Sequence, residues 1–166
     1  MNIFVTGSES FIGKVLLDQC KSAGIRAFGI DLNAPRCADR AAADIRSPKV
    51  AELIPEGTDA LVHLAAVSRD SDCRAKPTLA YDINVMGTVN LIEAAKQRGV
   101  KQFVFASSEW VYGEVANQEV QIEDRPIDVT RLQSEYALSK IASEQILRLA
   151  HAHVPRLRQG AKRVLG

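Results

Sequence analysis

The sequence lacks the features that mark metal-binding, nucleic-acid-binding and membrane proteins. Its three cysteines (Cys20, Cys37 and Cys73) show no Cys-x-x-Cys spacing, and three scattered histidines add no metal-ligand pattern. The 21 basic and 20 acidic side chains nearly cancel, so no net field attracts nucleic acid or an anionic membrane. No apolar run reaches the roughly 18 residues of a membrane-spanning helix, and no secretory signal is recognised before the first glycine turn. We therefore expect a cytoplasmic protein with reduced thiols and with no metal, nucleic-acid or membrane partner.

Strand and helix patterns alternate along the chain. Asn2–Thr6 is a short β-branched and aromatic run that leads into a glycine turn and then into helical periodicity from Lys14. Further strand-like runs cover residues 26–30, 60–65 and 102–107, and helices are predicted at residues 78–99 and 134–152. This alternation predicts one α/β domain with a doubly wound parallel sheet and helices on both faces, a three-layer α/β/α arrangement. Ligands of such sheets bind at the carboxyl ends of the strands.

The turn after the first strand has the composition of a dinucleotide-binding turn. Gly7, Ser10 and Gly13 stand where a tight turn, close approach to a diphosphate and helix-strand packing require small residues, although Ser10 replaces the middle glycine. The helix that opens near Phe11 would point its amides at the phosphates. Asp31 follows 24 residues after Gly7, where a carboxylate would bind ribose hydroxyls and repel a 2′-phosphate. The pattern favours NAD over NADP, and the alternative is an ordinary strand-to-helix turn with a capping aspartate.

Tyr136 and Lys140 lie four residues apart in a predicted helix and therefore share one face. An ammonium group there would lower the pKa of the phenol, and a phenol with a pKa near neutrality is a usable proton shuttle. Ser108 follows an apolar run upstream, at the carboxyl end of a predicted strand. The pair alone also fits an exposed tyrosine beside a solvated lysine, so the interpretation depends on the other motifs.

Six motifs in order resemble those of the extended short-chain dehydrogenase/reductase family, in its NAD-dependent epimerase/dehydratase group that acts on nucleotide sugars. The resemblance covers residues 2–150. The matching segments are Thr6-Gly-Ser-Glu-Ser-Phe-Ile-Gly13, Asp44-Ile-Arg46, His63-Leu-Ala-Ala66, Asn84-Val-Met-Gly-Thr-Val-Asn-Leu91, Ser107-Ser-Glu-Trp-Val-Tyr-Gly113 and Tyr136-x-x-x-Lys140. The resemblance implies a Rossmann fold with NAD as the cofactor.

The resemblance also implies a role for each matched residue. It makes Ser108, Tyr136 and Lys140 catalytic, with Tyr136 removing a proton from a sugar hydroxyl that Ser108 orients. The implied cofactor-binding residues are Gly7, Ser10, Phe11, Ile12, Gly13, Asp31, Asp44, Ile45, Leu64, Ala65, Ala66, Asn84, Ser107, Tyr136 and Lys140. Asn84 would brace the nicotinamide side, with helix capping as the alternative, and His63 is interpreted as a core residue.

The activity that the resemblance implies is that of a nucleotide-sugar epimerase with transient hydride transfer to NAD. Dehydratases of the family carry Thr-Asp-Glu where this chain has Ser108-Glu109-Trp110, so elimination of water is not expected. A sugar-nucleotide reductase is the second choice. Relatives pair through the helices near residues 78–98 and 134–152, which implies a homodimer.

The end of the chain departs from the resemblance. Residues 153–166 contain Pro155 and many positive charges and show no strand pattern, so we expect a domain at residues 1–152 and then an irregular basic tail. We expect the C-terminal region with which relatives bind the nucleotide sugar to be missing through truncation. An NAD-binding module without turnover is therefore an alternative function, and a doubly wound domain that binds no dinucleotide is a third.

Overall fold

The computed structural model describes residues 1–113, 126–153 and 158–162, and for residues 152, 153 and 158–162 the backbone only. The strands are β1 (Asn2–Thr6), β2 (Arg26–Asp31), β3 (Arg40–Ala42), β4 (Ala60–His63), β5 (Gln102–Ala106) and β6 (Arg158–Lys162). They form one six-stranded sheet in the order β3-β2-β1-β4-β5-β6, and every pair of neighbours is parallel. The doubly wound parallel sheet predicted from the sequence is confirmed.

Helices connect the strands. They are α1 (Phe11–Ser22), α2 (Val50–Leu53), α3 (Asp70–Ala75), α4 (Pro77–Tyr81), α5 (Gly87–Gln97) and α6 (Glu135–His153). A π-helical turn at Asp82–Met86 joins α4 to α5, and 3-10 turns cover Glu109–Tyr112 and Val129–Arg131. The helix predicted at residues 78–99 is therefore one helical run with a widened turn in its middle. Among the described residues, no helix combines the length and apolar content that crossing a bilayer requires.

The sheet carries an apolar core on each face, because successive side chains of a strand point to opposite sides. Phe4 of β1 and Leu61 of β4 are fully buried in one cluster with Leu91 of α5, and this cluster also contains residues of α2 and α6. Val5 belongs to a second cluster with Leu17 of α1. α1 thus covers one face, and α2, α5 and α6 cover the other, which gives three layers.

The direction of winding reverses at β1, whose neighbours in the sheet are β2 and β4. Such a reversal leaves a crevice beyond the carboxyl ends of the two strands that flank it. In the ladder between β1 and β4, Thr6 and His63 are the last paired residues. The segments that follow β1 and β4 therefore begin side by side at this crevice.

The expectation of an irregular tail is wrong for Arg158–Lys162. These residues form β6, which pairs in parallel with β5 from Gln102 opposite Arg158 to Ala106 opposite Lys162. The sequence gives little sign of this strand because β6 lies at the edge of the sheet, where backbone hydrogen bonds provide the pairing and charged side chains are common. The remainder of the predicted tail, residues 154–157 and 163–166, lies outside the described residues.

Candidate active site

The turn between β1 and α1 is closed by two glycines at which no side chain fits. Gly7 has a φ of 73°, and a Cβ atom on it would lie 2.7 Å from the amide nitrogen of Ala65. A Cβ atom on Gly13 would lie 2.2 Å from the carbonyl oxygen of Gly7. The backbone after β1 is therefore in direct contact with the backbone after β4, and only glycine permits this approach.

Ser10, which stands where the family motif has glycine, stabilises the same turn. Its φ of −67° suits any residue. Its hydroxyl donates to the carbonyl oxygen of Gly7 at 2.7 Å and accepts from the amide of Gly13 at 3.0 Å. The amides of Phe11 and Ile12 belong to the first turn of α1 and have no acceptor within the helix. Ser10 thus lacks the conformational freedom of a glycine but caps the N-terminus of α1 with its side chain. The amides of Phe11 and Ile12 remain available to an anion.

A cavity of about 240 Å³ opens at the crevice between β1 and β4. Eight of the residues predicted to bind the cofactor line it, namely Gly7, Ser10, Asp31, Asp44, Ile45, Leu64, Ala65 and Ala66. Six further lining residues were not predicted, namely Ile30, Leu32, Ala43, Val67, Ser68 and Ile83. Each of the six lies within two positions of a predicted residue, so extending each motif by two residues would have found them.

The carboxylate of Asp31 is held in the cavity wall by backbone amides. Its two oxygens accept hydrogen bonds from the amides of Glu9 at 3.3 Å and Asn33 at 3.0 Å. A carboxylate fixed in this way can accept further hydrogen bonds from ligand hydroxyls and disfavours an anion at the same place.

The three predicted catalytic residues converge at the carboxyl end of β5. Ser108 follows this strand, whereas Tyr136 and Lys140 project from α6. The Ser108 hydroxyl lies close enough to the Tyr136 phenol to lower its pKa. The Lys140 ammonium donates to the carbonyl oxygen of Ala106 at 2.9 Å and lies 5.6 Å from the centre of the Tyr136 ring. Two hydroxyl groups and one cation thus meet next to the crevice.

The prediction that Lys140 lowers the pKa of the Tyr136 phenol is wrong for the chain by itself. Burial of the ring raises the pKa, the nearby Ser108 hydroxyl opposes this by a smaller amount, and the Glu109 carboxylate raises the pKa further. The spacing on the helix predicted that the two side chains are neighbours, but the ammonium points to the end of β5 and the phenol is desolvated. As a result the phenol favours its neutral form.

Burial raises the pKa of Tyr136 but lowers the pKa of Lys140. The side chain is 3% exposed, and desolvation lowers its pKa to about 8, although the nearby Cys73 thiol and Glu144 carboxylate favour the charged form. Glu144 is itself buried and accepts a hydrogen bond from the Ser107 hydroxyl. The Ser107 side chain, predicted to bind the cofactor, is therefore directed to α6 in the interior.

Asn84 connects the cavity wall to α6. Its side-chain oxygen accepts from the amide of Val67 at 2.8 Å, and its side-chain nitrogen donates to the carbonyl of Val67 and to the hydroxyl of Ser139, both at 3.0 Å. These contacts brace a lining residue against the residue that precedes Lys140. The π-helical turn places Asn84 at this position, as such turns often do at functional sites.

His63 is a fully hydrogen-bonded core residue. Its Nδ1 lies 2.7 Å from the hydroxyl of Thr6 and its Nε2 lies 3.0 Å from that of Thr88. Thr88 gives its only hydroxyl proton to the carbonyl oxygen of Asn84, so we assign the ring proton to Nε2, with Thr6 donating to Nδ1. Burial, with a smaller effect of the Lys140 charge, lowers the pKa of His63 to about 3. The ring is therefore neutral at physiological pH and takes no part in acid-base chemistry.

The structure thus brings two groups of residues to one edge of the sheet. The first lines the cavity between the glycine turn and residues 43–45, and the second is the cluster of Ser108, Tyr136 and Lys140. Phe11, Ile12 and Gly13 belong to the turn but do not line the cavity. A ligand that extends from the cavity to the cluster would place a reacting hydroxyl next to the phenol and the serine, an arrangement suited to proton transfer.

The sequence matches a protein-family model described as the NAD dependent epimerase/dehydratase family over residues 3–157. Curated relatives include a GDP-6-deoxy-D-mannose reductase of Pseudomonas aeruginosa, 34% identical over 87% of this chain and 45% of the relative. A UDP-glucose 4-epimerase of Oryza sativa subsp. japonica is 33% identical over 88% of this chain and 40% of the relative. The chain therefore spans less than half the length of these two relatives.

Solved structures share the fold over nearly the whole chain. MoeE5 in complex with UDP-glucose and NAD has a TM-score of 0.87 and 28% identity. A Thermus thermophilus UDP-glucose 4-epimerase in complex with NAD has a TM-score of 0.86 and 29% identity. Each similarity covers 98% of this chain and 54% of the other chain.

The glycine turn generates a stability prediction. Gly7→Ala places a Cβ atom against the Ala65 backbone, so we expect it to lower the free energy of unfolding by about 3 kcal/mol or more, from left-handed strain and the clash together. Gly24→Ala is the matched control, because Gly24 has a φ of 68° but no atom within 4 Å of the added Cβ. It should lower the free energy by only about 1 kcal/mol. Equal losses in urea denaturation would show that the backbone contact is unimportant.

Lys140 generates a prediction about pH. Between pH about 8 and its ordinary pKa of 10.5, the unfolded chain holds the lysine proton and the folded chain does not. The contribution of Lys140 to stability therefore rises with pH across this window, by up to about 1.4 kcal/mol per pH unit, and is constant below it. Urea denaturation of the wild type and of Lys140→Met from pH 7 to pH 10 isolates this effect. A difference between the two proteins that stays constant with pH would contradict the lowered pKa.

Proposed function

The chain belongs to the NAD-dependent epimerase/dehydratase family, and from that premise we propose that it binds NAD and acts on a nucleotide sugar as an epimerase-type oxidoreductase. The observation that carries this proposal is the convergence of Ser108, Tyr136 and Lys140 at the carboxyl end of β5, beside a cavity at the switch in strand order. This is where a doubly wound sheet holds its ligand.

The residues at the crevice suit the parts of a dinucleotide. Gly7 lets a ligand approach the backbone closely, and the first amides of α1 would bind the diphosphate. The anchored Asp31 carboxylate would bind the adenosine ribose and disfavour a 2′-phosphate, so NAD is preferred to NADP. Asp44 and Ile45 would contact the adenine, and Asn84, Tyr136, Lys140 and the backbone of Ser107 are proposed for the nicotinamide half. The cavity walls at residues 64–66 complete the site.

The proposed chemistry of the protein itself is a proton transfer. Tyr136 Oη would take the proton of a sugar hydroxyl while Ser108 Oγ orients that hydroxyl through a hydrogen bond. The raised pKa of the phenol, caused chiefly by burial, means that the tyrosine needs more positive charge nearby to act as a base than Lys140 gives it in the chain by itself, and the positively charged ring of bound NAD would add to that charge. Bound NAD would supply reversible hydride acceptance, which allows epimerisation without net oxidation.

A reductase is the second candidate, because one of the relatives of highest identity is a reductase of a GDP-linked deoxysugar. The same Tyr136 would then donate a proton instead of removing one. The two functions differ in stoichiometry, since a reductase consumes one NADH for each sugar reduced and an epimerase consumes none.

We also propose that two copies pair through the helical run α4–α5 and through α6. Leu79, Met86, Leu138 and Leu149 are 40–62% exposed on these elements, which would bury apolar surface in a dimer. Sedimentation that finds only a monomer at micromolar concentration would refute this pairing.

The function is tested by NAD titration together with turnover of UDP-, dTDP- and GDP-linked sugars. We expect the wild type to bind NAD in preference to NADP, and Tyr136→Phe to lower turnover by at least about 100-fold while NAD affinity changes little. Tyr81→Phe, on α4, is the matched control and should keep its activity. Unchanged turnover in Tyr136→Phe would refute the proposed role of the phenol.

The other outcomes separate the alternatives. NAD binding with no turnover of any sugar would favour an NAD-binding module, and consumption of NADH would favour the reductase. A wild type that binds no NAD would refute the proposal as a whole.

A further inference from the structure

One wall of the cavity is formed by residues 43–45, which belong to no regular element. They follow β3, the strand at the outer edge of the sheet, so no strand among the described residues holds them on that side. A site that binds a ligand tightly needs such a wall to be ordered in advance, because ordering it on binding reduces affinity. The amide of Ala43 donates to the carbonyl oxygen of Asp31 in β2 at 3.0 Å, and three further contacts come from the helical run α4–α5.

The first contact is a bracket formed by Asn90 of α5. Its side-chain nitrogen donates to the carbonyl oxygen of Ile45 at 2.6 Å and to that of Ser47 at 2.8 Å. One amide group thus fixes two carbonyls on either side of Arg46. Asn90 itself does not line the cavity.

The second contact is the packing of Ile45 onto Gly87, the first residue of α5. Ile45 is 6% exposed, and a Cβ atom on Gly87 would lie 2.6 Å from its Cδ1 atom. The absence of a side chain at Gly87 therefore provides the space in which Ile45 lies. Backbone and side chain of Ile45 are both held by the same helix.

The third contact is an ion-pair bridge. Arg46 binds the carboxylate of Asp44 at 2.6 Å and that of Asp82, in the π-helical turn, at 2.7 Å. The guanidinium is about one-third exposed, so the bridge contributes orientation more than stability. It joins one lining residue, Asp44, to the chain neighbour of another, Ile83.

We propose that Asn90 is a positioning residue for the adenosine end of the dinucleotide site, and that it acts through Ile45 with the help of Gly87 and Arg46. The inference rests on the proposed binding of NAD. It adds that affinity for the adenosine half depends on a side chain in α5 that touches no ligand.

The test compares two variants, of which one loses asparagine hydrogen bonds beside the cavity and the other loses an asparagine hydrogen bond far from it. Asn90→Ala removes both bonds to the wall, whereas Asn2→Ala removes the bond from Asn2 to the carbonyl of Gly57 at the opposite end of the sheet, 3.1 Å long. By calorimetry, Asn90→Ala should weaken the binding of NAD and of 5′-AMP by the same factor, about tenfold. Asn2→Ala should change both by less than about twofold.

A third variant separates hydrogen bonding from space filling. Asn90→Asp keeps the shape of the side chain but faces the two carbonyl oxygens with an acceptor in place of a donor. Asn90→Asp should lower the affinity for NAD and for 5′-AMP more than Asn90→Ala does. Retained affinity in Asn90→Asp would overturn the proposal, as would weaker binding of NAD with unchanged binding of 5′-AMP.

Hydrogen exchange of the ligand-free proteins makes the outcome independent of NAD. Amides of residues 45–47 should exchange faster in Asn90→Ala than in the wild type and in Asn2→Ala. Unchanged exchange would overturn the positioning role even if NAD binds. A wild type that binds neither NAD nor 5′-AMP would instead refute the proposed function, and with it the assignment of this wall to adenosine.

Discussion

The direct contact between the backbone at Gly7 and the backbone at Ala65 is the constraint on which the rest of the site depends. It joins the segments after β1 and β4 at the switch in strand order, where a side chain at position 7 would separate them. The hydroxyl of Thr6 reinforces this contact by accepting from the amide of Ala65 at 3.3 Å. The cavity therefore has a floor of peptide groups, which suits a ligand with polar edges and charged phosphates.

The cavity and the hydroxyl cluster are parts of one framework. Asn84 holds the Val67 backbone on one side and Ser139 on the other, so the wall of the cavity and the helix that carries Tyr136 move together. Buried side chains that use all their donors and acceptors in this way rigidify a site, because no partner can shift without leaving another unpaired.

The sequence predicts what local chemistry determines. β1 and α1 were predictable from the apolar run, the glycine turn and the periodicity, and eight predicted residues line one cavity because motif spacing fixes their places in such a sheet. Contacts between distant residues were not predictable. Asn90 lies 45 positions from Ile45 and Ser107 lies 37 from Glu144, and no short pattern links them. The pKa of Tyr136 depends on how deeply its ring is buried, which the residue type does not reveal. β6 pairs through its backbone, so its side chains give no strand pattern.

The single tautomer of His63 fixes the direction of a series of buried hydrogen bonds. Each donor points the same way, from the amide of Ala65 through Thr6, His63 and Thr88 to the carbonyl of Asn84. Aligned bonds of this kind polarise one another, so the series carries a dipole along its length. No hydroxyl in it can rotate alone to reverse its direction. The interior therefore has a dipole of fixed direction, which runs from the Ala65 amide at the crevice to the Asn84 carbonyl in the π-helical turn. The tautomer of one uncharged ring, that of His63, sets this direction.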